Sequence, residues 1–151
     1  MDKLSFLKDE LPTLMAKLKA GDKGNWGVLT AQGMVEHLGD ALREANGKTP
    51  IKTLTPPDKL EKAKSFAMSD KPFKENTKNS MMSAEPAQLN FISIDAAIVD
   101  YQKEIKAFIK HFKGKEESTL PNPFFGDLNF AEWTHLLHKH ATHHCKQFNL
   151  L

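Results

Sequence analysis

A chain of 151 residues, 40% hydrophobic and 26% charged, has the length and composition of one folded domain, 1–151, with a real core to bury. Its 21 Lys and Arg stand against 19 Asp and Glu, scattered rather than blocked, so a formal charge of +2 leaves no basic footprint for nucleic acid or an anionic membrane. No apolar run reaches the roughly 18 residues that span a bilayer, the start MDKLSFLKDELPTLM lacks the apolar core of a signal peptide, and the lone Cys145 excludes an internal disulfide, so the cytoplasm is the expected compartment.

Leu4, Leu7, Leu11, Leu14, Met15 and Leu18 recur at helical spacing and predict a first amphipathic helix over 3–20, ending at Gly21. Pro12 sits inside that pattern, so a kink or break is expected there. GDKGNWG reads as a turn. Thr30 caps a second helix over 30–46 that Gly47 terminates. Met34, Leu38, Ala41 and Ala45 form its inner face, with His37 at the border of that face and Glu36 and Asp40 flanking it. Residues 47–90 change character. Pro50, Pro56, Pro57 and the stretch DKPFKENTKNSMMSAEP break the periodicity, although Asp58–Met68 can form a short extra helix. Some 40 residues far exceed the turn that joins antiparallel neighbours. They are enough to cross one end of a bundle and let the next helix run parallel to the second. That helix begins at Ser93 and runs over 92–113, with Ile98, Tyr101, Ile105, Phe108, Ile109 and Phe112 at helical spacing. PNPFFGDLN then suggests an ordered, aromatic-anchored connection. No strand pattern of convincing length appears, so the expected fold is an all-α bundle of four main helices.

The last predicted helix, 129–148, holds five of the seven histidines. Asn129 can cap it, with Glu132 three residues on as the capping-box carboxylate. Trp133, Leu136, Leu137, His140, His144 and Gln147 share one stripe that starts apolar and turns to histidine. At about 100° per residue, His140 and His144 lie within about 40° of each other. His135 and His138 point away as solvated histidines, and His143 sits at the edge. Two imidazoles side by side in a core repel when protonated and compete for few acceptors, a conflict that a shared cation removes. HxxxH also arises by chance, so the spacing leaves a packing role open. A third ligand must be His37 or His111. His111 faces mostly outward, whereas His37 has an apolar flank. Three neutral imidazoles leave coordination positions open, and zinc, nickel and ferrous iron all accept them. Cys145 lies about 100° round the helix from His144 and reads as an ordinary thiol rather than a nucleophile.

WGVLTAQGMVEHLGDAL, with its mid-helix histidine, and KHATHHCKQF, where His140, His144 and Gln147 fall as HxxxHxxQ, resemble the DinB-like (YfiT-like) metalloenzyme superfamily. NPFFGDLNFAEW looks like the lead-in of a subgroup of unknown function. The resemblance covers nearly the whole chain. It implies a four-helix bundle with a long crossover between helices 2 and 3, and a divalent metal, most often zinc or nickel with iron as a further option, on His37, His140 and His144. Characterised relatives include S-transferases that use glutathione, mycothiol or bacillithiol, and a mycothiol-dependent isomerase. Cys145 and Lys146 stand where many relatives have arginine and glycine. Lys146 can replace such an arginine as a point charge, not as a bidentate fork.

The expected chemistry follows from the ion. It lowers the pKa of a water or thiol, and the thiolate supports S-transfer while hydroxide supports hydrolysis. Glu36, Asp40 and Glu44 are the candidates for a general base or for support of the ligands. For each, a solvated helix face is the commoner role. Met34, Ala41, Trp133 and Leu137 are the expected apolar contacts for a small organic substrate. The partners expected are that substrate and a low-molecular-weight thiol, with a homodimer as an option and neither nucleic acid nor membrane. Two other readings stand beside the enzyme: a metal-binding or stress-associated protein without turnover, and an oligomerising bundle with vestigial histidines.

Overall fold

A computed structural model describes residues 2–75 and 88–151. The chain is mainly helical, with one two-stranded ribbon among the described residues. The first helix, α1, is continuous but not uniform: Lys3–Ser5, a π-helical turn Phe6–Glu10, and Leu11–Met15. Asp2 caps it, accepting the N–H of Ser5 at 2.9 Å. Pro12 does not break the helix. The widened turn before it, in which the N–H of Leu11 reaches back to the carbonyl of Phe6, absorbs the residue that cannot donate. The helix stops at Met15 rather than near residue 20, because the next N–H groups bond three residues back and tighten into turns.

α2, Ala31–Ala45, starts at Thr30, whose hydroxyl accepts the N–H of Gly33 at 2.9 Å. Met34, Val35, Leu38 and Leu42 face the core, and Gly47 ends the turn beyond Asn46 at φ +81°. The chain then runs along the Phe124 turn, where Leu54 donates to the carbonyl of Pro123 at 2.7 Å and the Thr55 hydroxyl to that of Phe124 at 2.7 Å. α3, Pro57–Met68, is the extra helix that the sequence suggested, opened by Pro57 where a missing N–H costs nothing. The expected irregular tail of the 47–90 segment lies largely outside the described residues.

α4, Ile94–Phe112, is capped by Ser93, which accepts the N–H of Ala96 at 3.0 Å. Ile98, Tyr101, Ile105, Phe108 and Phe112 are buried as the periodicity requires. Its pairing with α2 is the most extensive in the molecule, and it is polar at intervals. Glu36 bonds the backbone of Asn90 and Phe91, Arg43 grips both oxygens of Asp100 at 2.9 and 2.8 Å, and Asn46 donates to Glu104 at 3.0 Å. Early residues meet early and late meet late, so α2 and α4 run in the same direction.

Between α4 and the last helix, β1 (Leu120–Asn122) pairs antiparallel with β2 (Gly126–Leu128). The sequence showed no strand here because three residues are too few to register an alternation. The side chain of Asn122 accepts the N–H groups of Phe124 and Phe125 and shapes the turn. α5, Phe130–Gln147, opens with the full capping box, Asn129 accepting from the N–H of Glu132 and Glu132 from that of Asn129, both at 3.0 Å. Among the described residues no helix is long and apolar enough to cross a membrane.

Candidate metal centre

α2 and α5 bring together three histidines that lie on different parts of the chain. His37 projects from the middle of α2 beside the buried Met34 and Leu38. His140 and His144 project one turn apart from α5. Their Nε2 atoms converge: His37 to His140 at 2.9 Å and His144 to His140 at 3.0 Å. The three rings are mutually edge-on, with centroids 4.7 to 4.9 Å apart. All three ligand atoms lie within 4.8 Å of one another. A tetrahedral ion with arms near 2.05 Å spaces its nitrogen ligands about 3.3 Å apart, close to the two spacings to His140 and inside the 4.8 Å span of the set.

The electrostatics favour uncharged imidazoles. Burial pushes the pKa of His37 down, and that of His140 well below the ordinary imidazole value, with His144 and His37 adding repulsion. His144 is pushed down to about 3, again chiefly by burial. Three imidazoles whose nitrogens lie within 4.8 Å of one another cannot carry several positive charges in a low-dielectric site. At neutral pH all three rings are therefore neutral, the form that binds metal.

A second ring of groups surrounds them. His144 Nδ1 lies 2.7 Å from Gln147 Oε1, and Gln147 Nε2 lies 2.7 Å from the carbonyl of Trp26. The loop carrying Trp26 is docked on the end of α5, where the N–H of Asn25 donates to the carbonyl of Gln147 at 2.7 Å. His143, the edge residue of the sequence reading, packs edge-on to His144 and stands between Trp26 and Phe73 at centroid distances of 5.3 and 6.0 Å. Trp26 and Phe73 were not anticipated near the cluster. GDKGNWG reads as a turn and Trp26 also opens the WGVLTAQGMVEHLGDAL stretch, while Phe73 sits in a segment without periodicity. A large aromatic in a turn, next to Gly27 and two residues after Gly24, is a signal that the sequence offers.

The remaining candidates divide. Glu36 is buried, and its carboxylate accepts from Gln32 Nε2 and from the N–H groups of Asn90 and Phe91 at 2.9, 2.8 and 3.3 Å. Asp40 is exposed and paired with Arg43 at 2.6 Å. Glu44 is half-buried, and its carboxyl is pushed up to about 7 by burial and by Asp40. Met34 and Trp133 are fully buried, Trp133 donating its ring N–H to the carbonyl of Leu120 at 3.2 Å. Ala41 and Leu137 meet His140 and Tyr101 around a cavity of about 10 Å³, room for about one water. His135 accepts from Lys3 at 2.7 Å and donates to the carbonyl of Ser69 at 3.0 Å, while His138 packs edge-on to Phe6. Neither joins the cluster. Cys145 is buried, its thiol pushed up to about 12 by burial. No protein-family model, curated protein or solved structure matches the chain.

Proposed function

We propose that the chain is a divalent-metal-dependent enzyme with a four-helix bundle of DinB-like topology, transferring a low-molecular-weight thiol to a small electrophile or, on the same site, hydrolysing one. One observation carries it: three imidazoles from two helices with their nitrogens within 4.8 Å of one another, and no carboxylate or thiol joining them among the described residues. The parallel run of α2 and α4 across a long connection supports the topology. An all-nitrogen set favours zinc or nickel, with ferrous iron third, over hard cations such as magnesium.

His37, His140 and His144 hold the ion, and three protein ligands leave a position for an exogenous group. The ion supplies Lewis acidity, lowering the pKa of a thiol or water that reaches it. His37 and His140 are only partly buried. His143, Trp26 and Phe73 stand on the flank of His144 and offer flat, partly apolar contacts to a small organic molecule. Glu44 has a carboxyl suited to exchanging a proton near neutral pH, because burial and Asp40 push it up to about 7.

The test is elemental analysis of protein purified without a histidine tag, followed by turnover of a generic electrophile with a small thiol. One divalent ion per chain and thiol-dependent turnover, abolished by chelator and restored by one ion, are expected. Failure to retain any divalent ion after loading would overturn the reading. Stoichiometric metal without turnover across thiols and electrophiles would instead make the chain a non-catalytic metal-binding protein.

A further inference from the structure

The GNWG loop and the last helix meet at a buried amide with a consequence for the histidine cluster. Gln147 is 3% exposed. One end of its side-chain amide lies 2.7 Å from the carbonyl oxygen of Trp26, which can only accept, so that end is the nitrogen. The other end is therefore the oxygen, and it too can only accept. It lies 2.7 Å from His144 Nδ1, so that nitrogen must carry a proton. A neutral imidazole has one N–H, which leaves Nε2 bare, 3.0 Å from His140 Nε2.

We propose that Gln147 is a positioning residue: it holds the His144 proton on Nδ1 and turns the Nε2 lone pair towards His37 and His140, with the Trp26 carbonyl fixing the amide's orientation. This rests on the metal-site reading for its purpose, though not for its geometry. The loop is built for the task. Asn25 bonds the carbonyls of Gln147 and Lys146, at 2.7 Å through its backbone N–H and 3.3 Å through its side chain. Gly24 and Gly27 flank the amide so closely that a Cβ at Gly24 would stand 2.9 Å from Gln147 Cγ, and one at Gly27 3.0 Å from Nε2. Gly27 also has φ +76°, where a side chain is strained. The loop lies 121 residues from Gln147 in sequence and still decides which nitrogen of His144 faces the cluster.

The tautomer can be read directly from nitrogen-15 shifts of the imidazoles in chelator-treated protein, because a bare ring nitrogen resonates well downfield of a protonated one. In the wild type His144 is expected to show a protonated Nδ1 and a bare Nε2. Gln147→Met keeps the length of the side chain and removes both hydrogen bonds. It should populate both tautomers and weaken zinc binding about 10- to 100-fold, the usual cost of losing a partner that orients a ligand, with an unchanged far-UV spectrum. Gly24→Ala, which crowds Gln147 without touching a histidine, should shift the tautomer in the same direction and serves if Gln147→Met does not fold. A proton on Nε2 of wild-type His144, or an unchanged tautomer in both variants, would overturn the proposal. A wild type with the expected tautomer that binds no zinc would refute the metal reading and leave the role of Gln147 standing.

Discussion

The hydroxyl of Tyr101 donates to the carbonyl oxygen of Leu7 at 2.7 Å, with both residues almost wholly buried. The bond replaces a backbone partner that the helix cannot supply. Leu11, the partner of Leu7 in an α-helix, bonds Phe6 instead, and Pro12, the partner in the widened register, has no N–H. Removing the hydroxyl strands a buried carbonyl, so Tyr101→Phe should cost about 1 to 3 kcal/mol in urea unfolding. In a Pro12→Ala background, where residue 12 can donate, the same change should cost less. Equal costs in the two backgrounds would separate Tyr101 from the proline.

Glu36 precedes His37 but serves the connection to α4. Its two oxygens accept three N–H groups, and a glutamine has only one oxygen to offer them. Glu36→Gln should therefore lower stability by about 1 to 3 kcal/mol while leaving zinc affinity near wild type. The opposite pattern, intact stability with weakened metal binding, would bring Glu36 into the site.

Alanine at His37, His140 or His144 should each reduce metal content sharply, since a site of three ligands has no spare. His135→Ala and His138→Ala should leave it near stoichiometric, because Lys3, Ser69 and Phe6 are their neighbours. Equal loss in all five would mean that the ion is held elsewhere. Chelator should lower the Tm of the wild type, as for any ligand that binds only the native state.

Acid should destabilise the metal-free protein earlier than surface carboxylates would. The unfolded chain protonates its histidines near 6.5, while native His144 resists down to about 3 and His37 and His140 are also depressed. In that window the unfolded state binds more protons, so stability is complete above about pH 6.5 and falls as the pH drops below it. The slope reaches up to about 1.4 kcal/mol per pH unit for each histidine involved. His144→Gln should flatten the profile of unfolding free energy against pH, and an unchanged slope would show that His144 titrates normally.

Cys145 should be inert. It is buried and its thiol is pushed up to about 12. A disulfide reagent at pH 8 should label it only as fast as the protein opens, and Cys145→Ser should keep the bound metal. Rapid labelling of native protein, or loss of turnover in Cys145→Ser with metal retained, would favour a cysteine nucleophile.

Periodicity and caps made most of the helical layout legible. Thr30, Ser93 and the Asn129–Glu132 box each mark a true start, and the apolar stripe of α4 is the buried one. The end of α1 was not legible, because Leu18 continues the apolar spacing and is buried although the helix has already stopped at Met15. The approach of His140 to His144 follows from one turn of helix and could be read from spacing. That His37 meets them depends on how α2 packs, and its apolar flank only hinted at it. Gln147 was visible as a member of the stripe. Its partner is a main-chain carbonyl, and no residue identity announces where a main-chain carbonyl will be.

The span of 103 residues between His37 and His140 bears on how this molecule is assembled. In small zinc modules the ligands sit a few residues apart, and the metal gathers a chain that is otherwise unfolded. Here closing so long a loop is entropically unfavourable until other contacts have drawn its ends together. The apolar faces of α1, α2, α4 and α5 must dock first, and the three imidazoles meet only afterwards. An ion arriving at this chain can lock a finished fold but cannot template one, so metal uptake would report that folding has been completed.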